Sequence, residues 1–238
     1  MSDASLRSLV PLALTLAVLA VVGVFVARVL VLYNVVQKEG VLPSDLGTDS
    51  ITISPRLAAT IARPNPNDVF DVVSDDDPSI GNAEAKLTIV EFADFGCPFS
   101  REASFAIRAL ALTYGDRIRY IYRDFPIPEL HPDAQAAAEA GECADDQGKF
   151  WAYHDMLFQN QNDLSRPALR QYAASVGLNL AKFDQCMAGG RHRAEVLEDY
   201  QAGIDAQVFG TPTFFFNGQP VSGAIPLKDL QTLIEAFL

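Results

Sequence analysis

Basic residues are in short supply: 18 Lys and Arg stand against 30 Asp and Glu in 238 residues, a formal charge of −12. Nowhere do they gather into a stripe, and an acidic surface repels phosphate, so nucleic-acid binding is excluded from the reading. No phosphate-cradling glycine loop, dinucleotide fingerprint or Ser/His/Asp arrangement is found. The three histidines, His131, His154 and His192, show no ligand spacing with one another or with the cysteines. Neither a metal nor a cofactor is therefore expected. Cysteine is equally sparse. Cys97, Cys143 and Cys186 form an odd set, so at most one pair can close internally and one thiol is left over.

What the chain does have begins with a long uncharged run, SLVPLALTLAVLAVVGVFVA, the twenty residues between Arg7 and Arg28. A helix of that length spans roughly 30 Å, the thickness of a bilayer's hydrocarbon core. The expectation is one transmembrane helix within residues 1–33, meeting the membrane through residues 8–32. A buried core helix is rarely apolar all round, and Phe25-Val26-Ala27 is a poor signal-peptide exit. Residues 34–79 hold five of the fourteen prolines and the acidic tract at 74–77. They read as a Pro-rich acidic linker, with an extra ordered lobe as the alternative.

From residue 80 to 238 the pattern is that of a folded α/β domain. Lys86 to Ala93 is nearly continuously apolar, as a strand buried on both faces must be. Cys97-Pro98 follows, and then a helix whose inward stripe is Ala103, Ile107, Leu110 and Tyr114, stopped by Gly115. Arg117 to Arg123 is a second strand, and strand–helix–strand in this order predicts a right-handed parallel unit. Residues 130–207 read as helices only. Strand chemistry returns in Thr213 to Phe216, turns at Asn217-Gly218, and pairs back through Gln219 to Ser222. A last helix opens at Pro226 and is expected to bury Leu227, Leu230, Ile234 and Phe237.

Cys97 stands where a buried strand hands over to a helix. Unpaired N–H groups and the helix dipole stabilise a thiolate there, and thiolate is the reactive form. Pro98 suits the first helical position, where its missing N–H costs nothing. A small buried hydrophobe is the usual role of a lone cysteine. This placement argues instead for a nucleophile.

Glu91-Phe-Ala-Asp-Phe-Gly-Cys97-Pro-Phe-Ser100, with Gly210-Thr211-Pro212-Thr213-Phe214 downstream, resembles the DsbA-like branch of the thioredoxin superfamily over roughly residues 78–238. Tyr122-Arg-Asp-Phe-Pro126, His131-Pro-Asp-Ala134 and Cys143 followed by Gly148-Lys-Phe-Trp151 belong to the same likeness. It implies a thioredoxin-like fold with an inserted helical block at about 127–207, a cis-proline loop at Thr211-Pro212 facing Cys97, and Glu91 as a buried acid that moves protons at the thiol. A satisfied strand carboxylate is the other reading of Glu91. Cys143 and Cys186 both fall in the helical block. The expectation is a structural disulfide between them, with two buried free thiols as the alternative.

One position departs from the family's Cys-x-x-Cys motif: the fourth residue is Ser100. A hydroxyl cannot close an internal disulfide or resolve a mixed one. The implied activity is therefore thiol–disulfide exchange by a single cysteine, on protein substrates with cysteines or disulfides, with a small thiol or a membrane redox partner as co-substrate. The implied location is the plasma membrane, single-pass, with the C-terminal domain outside the cytoplasm. Two other classes compete: a non-turnover thioredoxin-fold binding or chaperone module, and an enzyme resembling kappa-class glutathione transferases.

Overall fold

The structure is a computed structural model and describes residues 68–238. The anchor expected in 1–33 and the greater part of the linker lie outside the described residues. Among those described, no helix is long and apolar enough to cross a membrane.

A five-stranded mixed sheet in the order β1-β3-β2-β4-β5 carries the domain. Its elements are β1 (Ser79–Gly81), β2 (Leu87–Ala93), β3 (Ile118–Asp124), β4 (Thr213–Phe216) and β5 (Gln219–Ser222). Strand β2 is central. It pairs parallel with β3, Leu87 opposite Ile118, and antiparallel with β4, Ile89 opposite Phe216. The parallel pair is joined by α1 (Pro98–Tyr114), which is the unit expected from the sequence. A short edge strand, β1, adds antiparallel to β3.

Both faces of the sheet are covered, so its central strands carry no polar alternation. Leu87, Ile89, Tyr120, Phe214 and Phe216 face Ala103, Ile107 and Leu110 of α1 and Leu230 and Ile234 of α7 (Leu227–Phe237). Val90, Phe92, Ile121 and Phe215 point the other way, against Phe125, Ala206 and Val208. The last helix buries Leu230 and Ile234 as expected, but Leu227 is 51% exposed. Ala224 and Ile225, in the loop before the helix, pack against that core, which leaves the first helical residue at its solvent end.

The insertion comprises α2 (Ala134–Asp145), α3 (Phe150–Gln159), α4 (Arg166–Ser175), α5 (Leu180–Gly189) and α6 (Arg193–Asp205). It has a core of its own, in which Tyr153, Leu157, Phe158, Leu169 and Phe183 meet Phe95 and Tyr122 from the strand ends. The Cys143–Cys186 disulfide joins α2 to α5. Residues 68–78, assigned to the end of the linker by their composition, lie along the domain. Phe70 N–H bonds to the Gly218 carbonyl (2.9 Å), and Arg123 pairs with Asp77 (2.8 Å) and Asp199 (2.5 Å).

Candidate active site

Strand β2 ends at Ala93, and the three residues that follow turn the chain into α1. Cys97 is the capping residue of that helix, in extended conformation, with Pro98 in the first helical turn. The first helical bond runs from Arg101 N–H to the Cys97 carbonyl (3.1 Å). The residue therefore stands at the open N-terminal end of a seventeen-residue helix, without a side-chain capping bond. It is free and only 6% exposed, and it donates to the Thr211 carbonyl at 3.3 Å. The Thr211–Pro212 peptide bond is cis, and the loop before β4 meets the sulfur through the Thr211 carbonyl. Pro212's carbonyl accepts from Gly223 N–H (2.8 Å), which ties that loop to the end of β5. Thr211 Oγ1 is buried with no hydrogen-bond partner.

Ser100 is fully buried in the first turn of α1, and its Oγ accepts from Asp94 N–H at 3.3 Å. It fastens the turn that precedes Cys97 to the helix that follows it. Glu91 is completely buried on β2, and the strand alternation puts it on the α1 side with Leu87 and Ile89. Its Oε2 accepts from the Tyr120 hydroxyl at 2.5 Å, while Oε1 has no partner. Burial pushes this carboxyl up to about 8, against the opposing pull of the Tyr120 hydrogen bond. A group so placed can hold a proton at neutral pH.

Several residues that shape the site are not conspicuous in the sequence. Asp94 is buried and accepts from Gly96 N–H (2.6 Å), Ile127 N–H (2.9 Å) and His131 Nδ1 (2.8 Å). A side chain at Gly96 would lie 2.4 Å from His131 Cβ, so only glycine fits between them. Gln161, beyond the end of α3, donates through Nε2 to the carbonyls of Phe95 (2.7 Å) and Cys97 (2.8 Å). His131 follows from its motif, but nothing in the sequence marks Gln161, which is 64 residues from Cys97. A cleft of about 250 Å3 opens beside Gly96, between Leu130, His131 and Gln161. Phe99 (61% exposed) and Phe209 (66%) flank Cys97 and Thr211 in the chain, which leaves two large apolar side chains in solvent close to the reactive elements.

Cys143 and Cys186 are joined, which leaves Cys97 as the one thiol of the chain. His192 offers a ring nitrogen within 4.8 Å of both Cys143 and Cys186 sulfurs. The three come from different helical segments, so no short spacing could reveal them.

A family model described as thioredoxin matches residues 73–236. Among curated proteins, a Na(+)/H(+) antiporter NhaA 3 of Salinispora tropica is 39% identical over 154 residues, 65% of this chain and 24% of that protein. The chain thus spans about a quarter of the length of the curated relatives it matches first. Among solved structures, a thioredoxin-like oxidoreductase from Silicibacter pomeroyi DSS-3 superposes with a TM-score of 0.62 at 27% identity, covering 68% of this chain and 92% of that one. The thiol-disulfide exchange protein alpha-DsbA2 from Wolbachia pipientis gives a TM-score of 0.62 at 20% identity, covering 70% and 90%.

Proposed function

The chain belongs to the thioredoxin family, and from that membership we propose that it is a thiol–disulfide exchange protein that works with one nucleophile, Cys97. One observation carries the reading: Cys97 is the N-cap residue of α1, and its sulfur lies 3.3 Å from the carbonyl of Thr211, immediately before Pro212. A substrate strand laid along that loop finds backbone groups to pair with beside the sulfur. The Cys97 thiolate attacks a substrate disulfide, forming one S–S bond while the displaced sulfur leaves as thiolate. Glu91, which retains a proton at neutral pH, is the group we assign to proton traffic at the thiol. Ser100 has no sulfur with which to resolve the mixed disulfide. Release therefore requires a second thiol, from the substrate itself or from a small molecule, and the outcome is reshuffling or reduction rather than autonomous oxidation.

The substrates we propose are proteins with cysteines or disulfides, gripped on their apolar segments by the rim at Phe99 and Phe209. The domain is assigned to an oxidising compartment outside the cytoplasm, tethered through residues 8–32. The closed Cys143–Cys186 pair supports that assignment, because such bonds persist where thiols are not kept reduced. Ion transport is not proposed for a chain that spans about a quarter of the antiporters it resembles.

The test is capture. Incubated with a peptide disulfide, the full chain is expected to accumulate a mixed disulfide on Cys97, visible by mass, that persists until a small thiol is added. Ser100→Cys is expected to shorten its lifetime by at least tenfold. No adduct on Cys97 under conditions where the peptide binds would overturn exchange and leave the binding-module reading.

A further inference from the structure

We propose that the Cys143–Cys186 pair is a redox-gated zinc site, in which the reduced sulfurs and His192 Nε2 hold one Zn2+ ion. Both sulfurs and a ring nitrogen of His192 lie within 4.8 Å of one another. In a tetrahedral zinc site, bond lengths of about 2.3 Å to sulfur and 2.0–2.1 Å to nitrogen put neighbouring ligand atoms roughly 3.5–3.8 Å apart. The three donors are thus already gathered within about an ångström of that spacing, apart from the two sulfurs, which must part once their bond is cut.

The histidine is aimed for the task. Its Nδ1 contacts Glu195 Oε2, which leaves Nε2 as the nitrogen facing the pair. Nε2 is buried, with Asp146 Oδ2 3.1 Å away. A carboxylate on one imidazole nitrogen is what orients metal-bound histidines, and to bind an ion Nε2 must exchange its contact with Asp146 Oδ2 for the metal. A fourth donor is Asp146, whose Oδ2 is 3.8 Å from Cys186 Sγ and is held in the oxidised chain by Arg191 Nη1 at 2.6 Å.

Access comes from a cavity of about 300 Å3 lined by Cys143, Asp146, Gln147, Lys182, Gln185 and Arg191. Lys182 and Arg191 bring positive charge to its wall, which favours thiolates once they form. The chemistry balances with a dithiol as reductant. Its two sulfurs close a disulfide, the Cys143–Cys186 bond takes up the two electrons and two protons, and Zn2+ then displaces those protons from the two thiols. Reduction would thus exchange one cross-link between α2 and α5 for another.

The experiment uses the full chain carrying Cys97→Ala, so that no third thiol competes, with Co2+ as the spectroscopic probe for zinc. After reduction by a phosphine, one equivalent of Co2+ is expected to bind with a sulfur-to-cobalt charge-transfer band and the intense visible bands of tetrahedral cobalt. Zn2+ is expected to abolish both. His192→Ala is expected to weaken binding by at least tenfold, and Glu195→Gln by about 10–100-fold. If reduction alone unfolds the chain, Zn2+ is expected to restore its native circular dichroism, and to fail with His192→Ala. Three results would overturn the proposal: no thiolate band after reduction, equal Co2+ binding by the oxidised chain (which would point to Glu142, His192 and Glu195 as a carboxylate site), or unchanged affinity in His192→Ala.

Discussion

Glu91 is a carboxyl with no exposure and one hydrogen bond, from Tyr120. Folded, it keeps its proton up to about pH 8, whereas its unfolded reference is 4.5. The folded state therefore binds the extra proton between those values. Its contribution to stability is full below pH 4.5 and is lost as pH rises through 8. Glu91→Gln keeps the shape without the titration. Chemical denaturation at pH 5 and pH 9 is expected to show the variant gaining on the parent by up to about 4 kcal/mol at the higher pH. Parallel pH profiles would refute it. Placement at a strand-to-helix junction pointed to Cys97, and likeness to a family pointed to Ser100, Glu91, Thr211 and Pro212. The bonds of Asp94 to main-chain N–H groups and of Gln161 to main-chain carbonyls were hidden, because such contacts leave no trace in residue order.

At the scale of elements, hydrophobic period and turn chemistry carried most of the information. The runs from Lys86 and Thr213 became β2 and β4, and Asn217-Gly218 made the hairpin, with positive φ at both residues. Strand β1 went unseen because three residues offer no period, and it exists by pairing with β3. The packing of α6 on the sheet depends on a close approach that no pattern reveals. A Cβ at Gly203 would meet Phe125 Cδ2 at 2.5 Å and Phe92 Cδ1 at 3.1 Å. Gly203→Ala would favour the helix intrinsically by up to about 1 kcal/mol. Overpacking against two buried rings is nevertheless expected to win, with a net loss of about 1–3 kcal/mol in equilibrium unfolding. A stabilised variant would show that the rings move aside freely.

Over the whole molecule, three cysteines divide into a closed pair and a solitary thiol. Thiol titration without reductant is expected to find one reactive group per chain, under native and denaturing conditions alike. A count of three would remove both the cross-link and the compartment argument. The pair is separated by 43 positions, and closing a loop of that size stabilises by about 4 kcal/mol in the chain-entropy model. Cys143→Ser with Cys186→Ser is expected to lower the unfolding free energy by about 2–4 kcal/mol for the same reason. Residue order by itself determined the kind of elements, their sequence along the chain and the junction at which Cys97 sits, because periodicity, caps and turns are local properties. Only the tertiary structure decided what faces the sulfur, which carboxyl loses its water, and that His192 stands beside Cys143 and Cys186. Those facts depend on segments far apart in the chain being brought within a few ångströms, and on the desolvation that only a closed core imposes.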